Sequence, residues 1–292
     1  MPTPHKRAQI VATIGPASKD PAVLKAMIEN GMDVARLNFS WGTYEEHAAR
    51  IADIRKIARE LNTHIPIIQD LSGPRIQEES GHEFDISAEH VLTEKDLKDL
   101  DFGAAQKVEY VAMSFVGDAH DVERLRKEMI ARGMCGEGSA GRDERNGVHN
   151  NAYGGTKLIA KIERAKAAAV GNGNLDAIIT AADAVMVARG DLGNEIPLEH
   201  LPYVQLDIIK AAKRAKKPVI TATQMMLSMV NSPTPTRAEV SDVAFAVIEG
   251  SDAVMLSEES AQGKFPVETV AMMRKIILEA ERHEYKPVIH KL

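Results

Sequence analysis

KLIAKIE at 157–163 and, one helical segment later, AVMVAR at 184–189 decide the fold class. Apart from their charged residues, both are apolar at nearly every position instead of every second one. A strand of a parallel sheet covered on both faces reads this way. Six runs of the same kind flank them: QIVATIG (9–15), VARLNFS (34–40), PIIQDL (66–71) and VEYVAMSF (108–115) before, PVITAT (218–223) and DAVMLS (252–257) after. The segments between carry helix signals. Asp20-Pro21 reads as an N-cap and first helical residue, and Asn30-Gly31 as the end of that helix. Thr43 with Glu46, and Thr93 with Asp96, read as capping boxes. Ile51, Ile54, Ala58 and Leu61 recur on one helical face, as do Val240, Val243, Ala244 and Val247, and Val270, Met273 and Ile277 behind Pro266. Eight β-then-α units predict an α/β protein, a (β/α)8 barrel forming a single domain over residues 1–292. A doubly wound open sheet shares the strand pattern and stays open as the alternative.

Length and charge agree with this reading. A barrel of this kind takes ~250 residues. Lys+Arg 36 against Asp+Glu 42 gives a net charge of −6, which argues against a nucleic-acid or membrane-surface binder but leaves room for a local cationic pocket. The single cysteine, Cys135, excludes an intrachain disulfide framework and agrees with a cytoplasmic protein. No run approaches the ~18 apolar residues of a membrane span, and the first residues lack a signal peptide's apolar stretch. Two connections break the rhythm. Residues 77–92 form a polar, acidic loop, and 133–156 a flexible Gly-rich insertion. A GxGxxG pattern in the second lacks the preceding strand and following apolar helix of a dinucleotide site, so it reads as loop, with Cys135 solvent-exposed beside it.

In a parallel barrel the reacting groups come from the C-terminal ends of the strands. Those ends supply Arg36, Asn38 and Ser40, then Asp70, then Lys161 and Glu163, then Asp191 and Thr223. Residues two apart on a strand share a face, so Lys161 pairs with Glu163, and Arg36 with Asn38 and Ser40. Such charges inside an apolar barrel are costly unless they pair or bind something, which leaves a structural ion-pair network as the alternative to a site. Glu163 and Asp191 are hard oxygen ligands suited to Mg²⁺ or Mn²⁺. Gly190 allows close backbone approach, and the turn it opens offers N–H groups for a carboxylate or phosphate. Lys161 suits developing negative charge on an oxygen, and Arg36 suits a phosphoryl or carboxylate clamp. An anionic, metal-chelating small substrate fits the set.

At these residues the chain resembles the pyruvate kinase family. The matching stretches are IVATIGPAS (10–18), GMDVARLNFSWG (31–42), LTEKDLKDL (92–100), AKIER (160–164), VMVARGDLGNEIP (185–197), TATQMM (221–226) and SDAVMLSEESAQGKFPVE (251–268). They run in family order and cover the family's catalytic TIM barrel. The resemblance implies a glycolytic transferase that passes a phosphoryl group from phosphoenolpyruvate to ADP, giving pyruvate and ATP. It implies Lys161, Arg36 and Thr223 as catalytic residues, with Arg36, Lys161, Gly190, Asp191 and Thr223 binding substrate. Glu163 and Asp191 would hold Mg²⁺ or Mn²⁺. Asn38, Ser40, Asp70 and the Leu71 backbone would hold K⁺. Asn38, Phe39, Ser40 and Trp41 lie near the nucleotide.

The departures concern the nucleotide side. The family's inserted lid domain is reduced to residues 77–92, its C-terminal regulatory domain has no counterpart in the 292 residues, and Gln77 stands where an arginine is usual. Leu71 replaces a frequent threonine, and Trp41 a histidine, its ring stacking on a base or capping the barrel. A site open to water weakens electrostatic stabilisation, so the expected kinase activity is slow. Two other readings stand beside it. One is metal-dependent enolate chemistry without nucleotide, such as oxaloacetate decarboxylation or pyruvate proton exchange. The other is a non-catalytic barrel binding an anionic metabolite or a partner protein. Apolar side chains on the last helix make self-association into a homo-oligomer plausible.

Overall fold

A computed structural model describes residues 7–78, 81–85, 87–88, 90–136, 155–169 and 171–283. Among these residues ten strands form: β1 (Gln9–Thr13), β2 (Val34–Asn38), β3 (Ile67–Asp70), β4 (Arg75–Glu78), β5 (Gly81–Phe84), β6 (Tyr110–Met113), β7 (Lys157–Ile162), β8 (Ala184–Ala188), β9 (Val219–Ala222) and β10 (Ala253–Leu256). Eight of them close a parallel barrel in the order β1, β2, β3, β6, β7, β8, β9, β10, with β10 returning to β1. Closure excludes the open sheet, and the chain is a single-domain (β/α)8 barrel.

Among the described residues the α-helices are, in chain order, α1 (Pro21–Glu29), α2 (Tyr44–Glu60), α3 (Glu94–Gln106), α4 (Ala119–Ala131), α5 (Ala165–Ala168), α6 (Asn174–Ala181), α7 (Arg189–Glu195), α8 (Leu201–Arg214), α9 (Arg237–Glu249), α10 (Glu258–Ala261) and α11 (Pro266–Ala280). The caps are the ones the sequence predicts. The Asp20 side chain accepts from the Ala22 N–H, and both Thr43–Glu46 and Thr93–Asp96 form reciprocal capping boxes. The predicted faces of α2 and α11 are buried, except that Leu61 is only half-buried. On α9, Val243 is buried while Val240 is exposed. On α11, Val270, Met273 and Ile277 are buried, while Val267, Met272 and Leu278 are half-buried. The exposed large apolar side chains include Tyr203 on α8 and Phe245 on α9. Among the described residues no helix is long and apolar enough to cross a membrane.

Strand parity divides the core. Ile10, Ala12, Ala35, Leu37, Ile67 and Leu158 point outward and pack beneath the helices. Val11, Val34, Ile68, Ala112, Ile159, Met186, Ile220 and Met255 point inward and fill the barrel. Along β2, β3 and β7 the inward positions change from apolar near the start to charged near the end: Val34 then Arg36, Ile68 then Asp70, Ile159 then Lys161. The barrel is therefore dry at its base and ionic at its C-terminal mouth.

Two expectations change. The stretch expected as an acidic loop after β3 holds a hairpin, since β4 and β5 pair antiparallel. Phe84 of this hairpin packs against Phe115, with ring centroids 5.2 Å apart, and the Arg164 guanidinium lies 4.0 Å over the Phe84 ring. Cys135 is buried, not exposed. The Thr156 N–H donates to the Met134 carbonyl and the Thr156 hydroxyl to the Val108 carbonyl, which seats this segment against the start of β7. Most of the expected Gly-rich insertion, at 137–154, lies outside the described residues.

The seam of the barrel depends on close packing at Gly15. A methyl group there would lie 2.6 Å from the Ala261 carbonyl oxygen and 2.8 Å from the Ala261 Cβ. Gly15→Ala should lower the unfolding free energy by about 1–3 kcal/mol, measured by urea denaturation.

Candidate active site

The ionic mouth is built around one carboxylate. Asp70, at the end of β3, is buried. Its Oδ2 accepts from Arg36 Nε at 2.6 Å, and its Oδ1 lies 3.2 Å from Lys161 Nζ. Arg36 Nη1 also donates to the Thr13 hydroxyl at 2.9 Å, and that hydroxyl donates to the Leu256 carbonyl at 2.8 Å. Residues from β1, β2, β3 and β7 thus lock together across the barrel. Lys161 Nζ further lies 2.8 Å from Glu163 Oε1 and donates to Ser114 Oγ at 2.7 Å. Ser114 Oγ in turn donates to the Leu71 carbonyl at 2.7 Å. Glu163, just past β7, takes the Phe115 N–H on its other oxygen at 2.5 Å.

The protonation states follow from these contacts. Burial works against the charge on Lys161, but the carboxylates of Asp70 and Glu163 outweigh it, and its pKa is raised. Burial pushes the Asp70 carboxyl up, yet Lys161 and Arg36 hold it below its ordinary range. Glu163 goes the other way. Burial raises its pKa, Lys161 opposes that, and the charge of Asp191 adds to the rise. These contacts favour the ammonium form of Lys161, and an added cation would favour ionised Glu163.

The second half of the site lies across the barrel mouth. Asp191 and Gly190 belong to α7, which starts directly from β8, where the sequence predicts only a short turn. The Gly190 N–H donates to Thr223 Oγ1 at 2.8 Å, just past β9. All three residues are half-exposed. Beside β2, Asn38 Oδ1 accepts from the Ser40 N–H, and Ser40 Oγ is a buried atom without a hydrogen-bond partner. Phe39 is not gathered into the mouth. Its ring is buried and stacks on His47 at 4.2 Å, packing the helix layer. Trp41 is 58% exposed, with its carbonyl held by His47 Nε2.

Sequence reasoning passes over Thr13 and Ser114, whose hydroxyls orient Arg36 and Lys161. Strand parity could have found them, because both sit one inward position beyond apolar neighbours. The comparisons can now be set beside the geometry. A family model described as the pyruvate kinase barrel domain matches residues 5–90 and 81–270, a range that holds all eight barrel strands. The chain belongs to the pyruvate kinase family. A pyruvate kinase of Agrobacterium vitis is 38% identical over 98% of this chain and 72% of its own length. One from Sporosarcina psychrophila is 35% identical over 97% of this chain and 59% of its own length. One from Thermococcus litoralis is 33% identical, with shares of 97% and 71%. The chain thus spans part of each pyruvate kinase. The alignment to the first runs over 367 positions against 292 residues here, so that relative carries residues inside the matched range that this chain lacks.

The Asp70 bridge makes a stability prediction. Asp70→Asn leaves two buried cations short of a counter-charge and should cost about 3–5 kcal/mol at pH 7. Because the folded pKa of Asp70 is depressed, its contribution is complete above its ordinary pKa of about 4 and fades as pH falls below that. The gap in urea midpoint between wild type and Asp70→Asn should therefore narrow as pH drops from neutral into that range.

Proposed function

We propose that the chain transfers the phosphoryl group of phosphoenolpyruvate to ADP. The observation that carries this reading is the Lys161 ammonium, held by Asp70, Glu163 and Ser114 at the mouth of a pyruvate kinase-family barrel. Its raised pKa rules it out as a base near neutral pH and suits it to hold negative charge on an oxygen. In the proposed reaction the bond between phosphorus and the enol oxygen breaks as a terminal ADP oxygen bonds to phosphorus. The enolate left behind is stabilised by Lys161, then takes a proton on carbon to become pyruvate. Arg36, aimed by Asp70 and Thr13, meets the phosphoryl oxygens. Gly190 and Thr223 meet the substrate's anionic groups on the opposite side.

Glu163 and Asp191 are the residues to hold Mg²⁺ or Mn²⁺. They fit, because the charge of Asp191 raises the cost of ionising Glu163 and both offer oxygen ligands. Among the described residues no third His, Cys, Asp or Glu joins them, so substrate and water would complete the shell. The metal, when bound, neutralises charge on the phosphoryl and enolate oxygens. The buried, unpartnered Ser40 Oγ suits a potassium ion, with Asn38, Asp70 and the Leu71 carbonyl as the other ligands. We assign the hairpin of β4 and β5 the place of a lid.

A second reading is favoured by the position of Phe39. Its burial in the helix layer removes one of the four residues expected near the nucleotide, while the Lys161, Glu163 and Asp70 cluster is intact. That balance supports enolate chemistry on pyruvate or oxaloacetate without ADP.

A coupled assay of pyruvate formation with phosphoenolpyruvate and Mg²⁺ decides between the two. ADP-dependent turnover that falls about 100-fold or more in Lys161→Met supports phosphoryl transfer. Oxaloacetate decarboxylation with no response to ADP supports the second reading. Glu163→Gln should weaken Mg²⁺ binding about tenfold or more in either case, read by calorimetric titration. Wild-type protein without turnover, and without oxalate or Mg²⁺ binding, overturns both.

A further inference from the structure

Thr223 and Gln224 have φ values of +70° and +53°, although neither is glycine. A β-branched residue in the left-handed region is a true outlier, and such strain persists only where the surroundings over-determine it. Thr223 Oγ1 donates to the Ala222 carbonyl at 2.7 Å and accepts from the Gly190 N–H at 2.8 Å, and one further side chain grips the segment. Arg189, the first residue of α7, reaches back across the end of β9. Its Nη2 donates to the Thr223 carbonyl at 2.7 Å and its Nε to the Ala222 carbonyl at 3.2 Å. The same guanidinium forks onto Asp242 of α9, with Nη1–Oδ1 and Nη2–Oδ2 both 2.7 Å. Nη1 also donates to Oε1 of buried Gln205 on α8 at 3.3 Å, and Gln205 Nε2 donates to Glu249 Oε2 at 2.8 Å.

These contacts use all the N–H groups of a guanidinium, so none is left for substrate. We propose that Arg189 is a positioning residue: it clamps the end of β9 to α7 and holds the Thr223 hydroxyl against the Gly190 N–H. The clamp is anchored from outside the barrel by Asp242 and Gln205. Without it the strained pair relaxes toward negative φ, which carries Thr223 Oγ1 away from Gly190. A lysine cannot replace it, because a single ammonium cannot span two carbonyls and a bidentate carboxylate in a fixed plane. The consequence for substrate rests on the function proposed above, in which Gly190 and Thr223 meet its anionic groups. The clamp itself does not.

The test uses the full chain with Arg189→Lys and Arg189→Gln, read three ways. In both variants the Gly190 amide should exchange with solvent about tenfold faster or more by NMR, while amides of β1 and β7 keep their protection. Oxalate affinity and the KM for phosphoenolpyruvate should worsen about tenfold or more, with the KM for ADP unchanged. Folded Arg189→Lys protein with wild-type Gly190 exchange overturns the proposal. So does a uniform loss of protection over the whole barrel, which marks Arg189 as a general stabiliser. Should both variants fail to fold, Asp242→Asn removes only the anchor. It should accelerate Gly190 exchange to a smaller degree, and unchanged exchange there also overturns the clamp. A wild type that neither binds oxalate nor turns over refutes the proposed function, while Gly190 exchange still decides the clamp.

Discussion

The carboxylate of Asp70, buried between Arg36 and Lys161, is the constraint on which the site depends. Two cations cannot sit a few ångströms apart inside an apolar barrel without a shared counter-charge. Asp70 supplies it and sets the distance between them. Arg36 is then fixed in rotation by Thr13, and Lys161 is fixed by Glu163 and Ser114. The electrostatic chemistry proposed for the mouth needs charges that do not reorganise as the reaction proceeds, and this network holds them in place before any ligand arrives.

The same network explains why the barrel must be closed and regular. Its members come from β1, β2, β3 and β7, with Ser114 just past β6. Their contacts rely on the register Thr13 to Arg36, Asn38 to Asp70 and Met113 to Ala160. A slip of one residue in any of these pairings would turn the charged position outward under the helices. The apolar inward layer of Val34, Ile68 and Ile159 fixes the register from below. Stability at the base and chemistry at the mouth are thus two consequences of one alternation.

That alternation is why much of the site was legible from sequence. Arg36, Asp70 and Lys161 interrupt apolar runs at inward parity, and charged residues there stand out. Thr13 and Ser114 carry the same parity, yet short hydroxyls in an apolar run look like filler. Phe39 carries the other parity: one step from Asn38, its ring points outward to His47. The hairpin of β4 and β5 was missed because its sequence has no sustained alternation and no helix-length pattern to contrast with. Cys135 was misread from its Gly-rich neighbours, whereas its burial is set by long-range contacts of Thr156. The role of Arg189 was hidden for a similar reason. Nothing local marks a side chain whose partners lie 16 to 53 residues away.

Exposure divides the mouth into two halves. Lys161, Glu163 and Asp70 are buried by the barrel itself, before any lid is considered, whereas Gly190, Asp191 and Thr223 are half-exposed. A charge held in a dry site acts through a lower effective dielectric than one in contact with water. Stabilisation of an enolate by Lys161 therefore depends little on a covering domain. Control of a phosphoryl group beside Thr223 depends on it strongly, because there water competes both as ligand and as acceptor. Through Phe84 the hairpin packs over Phe115 and beneath Arg164. Under the proposed reaction the two half-reactions therefore differ in their need for cover: the enolate step draws on the buried network, and the transfer step on the half-exposed side of the mouth.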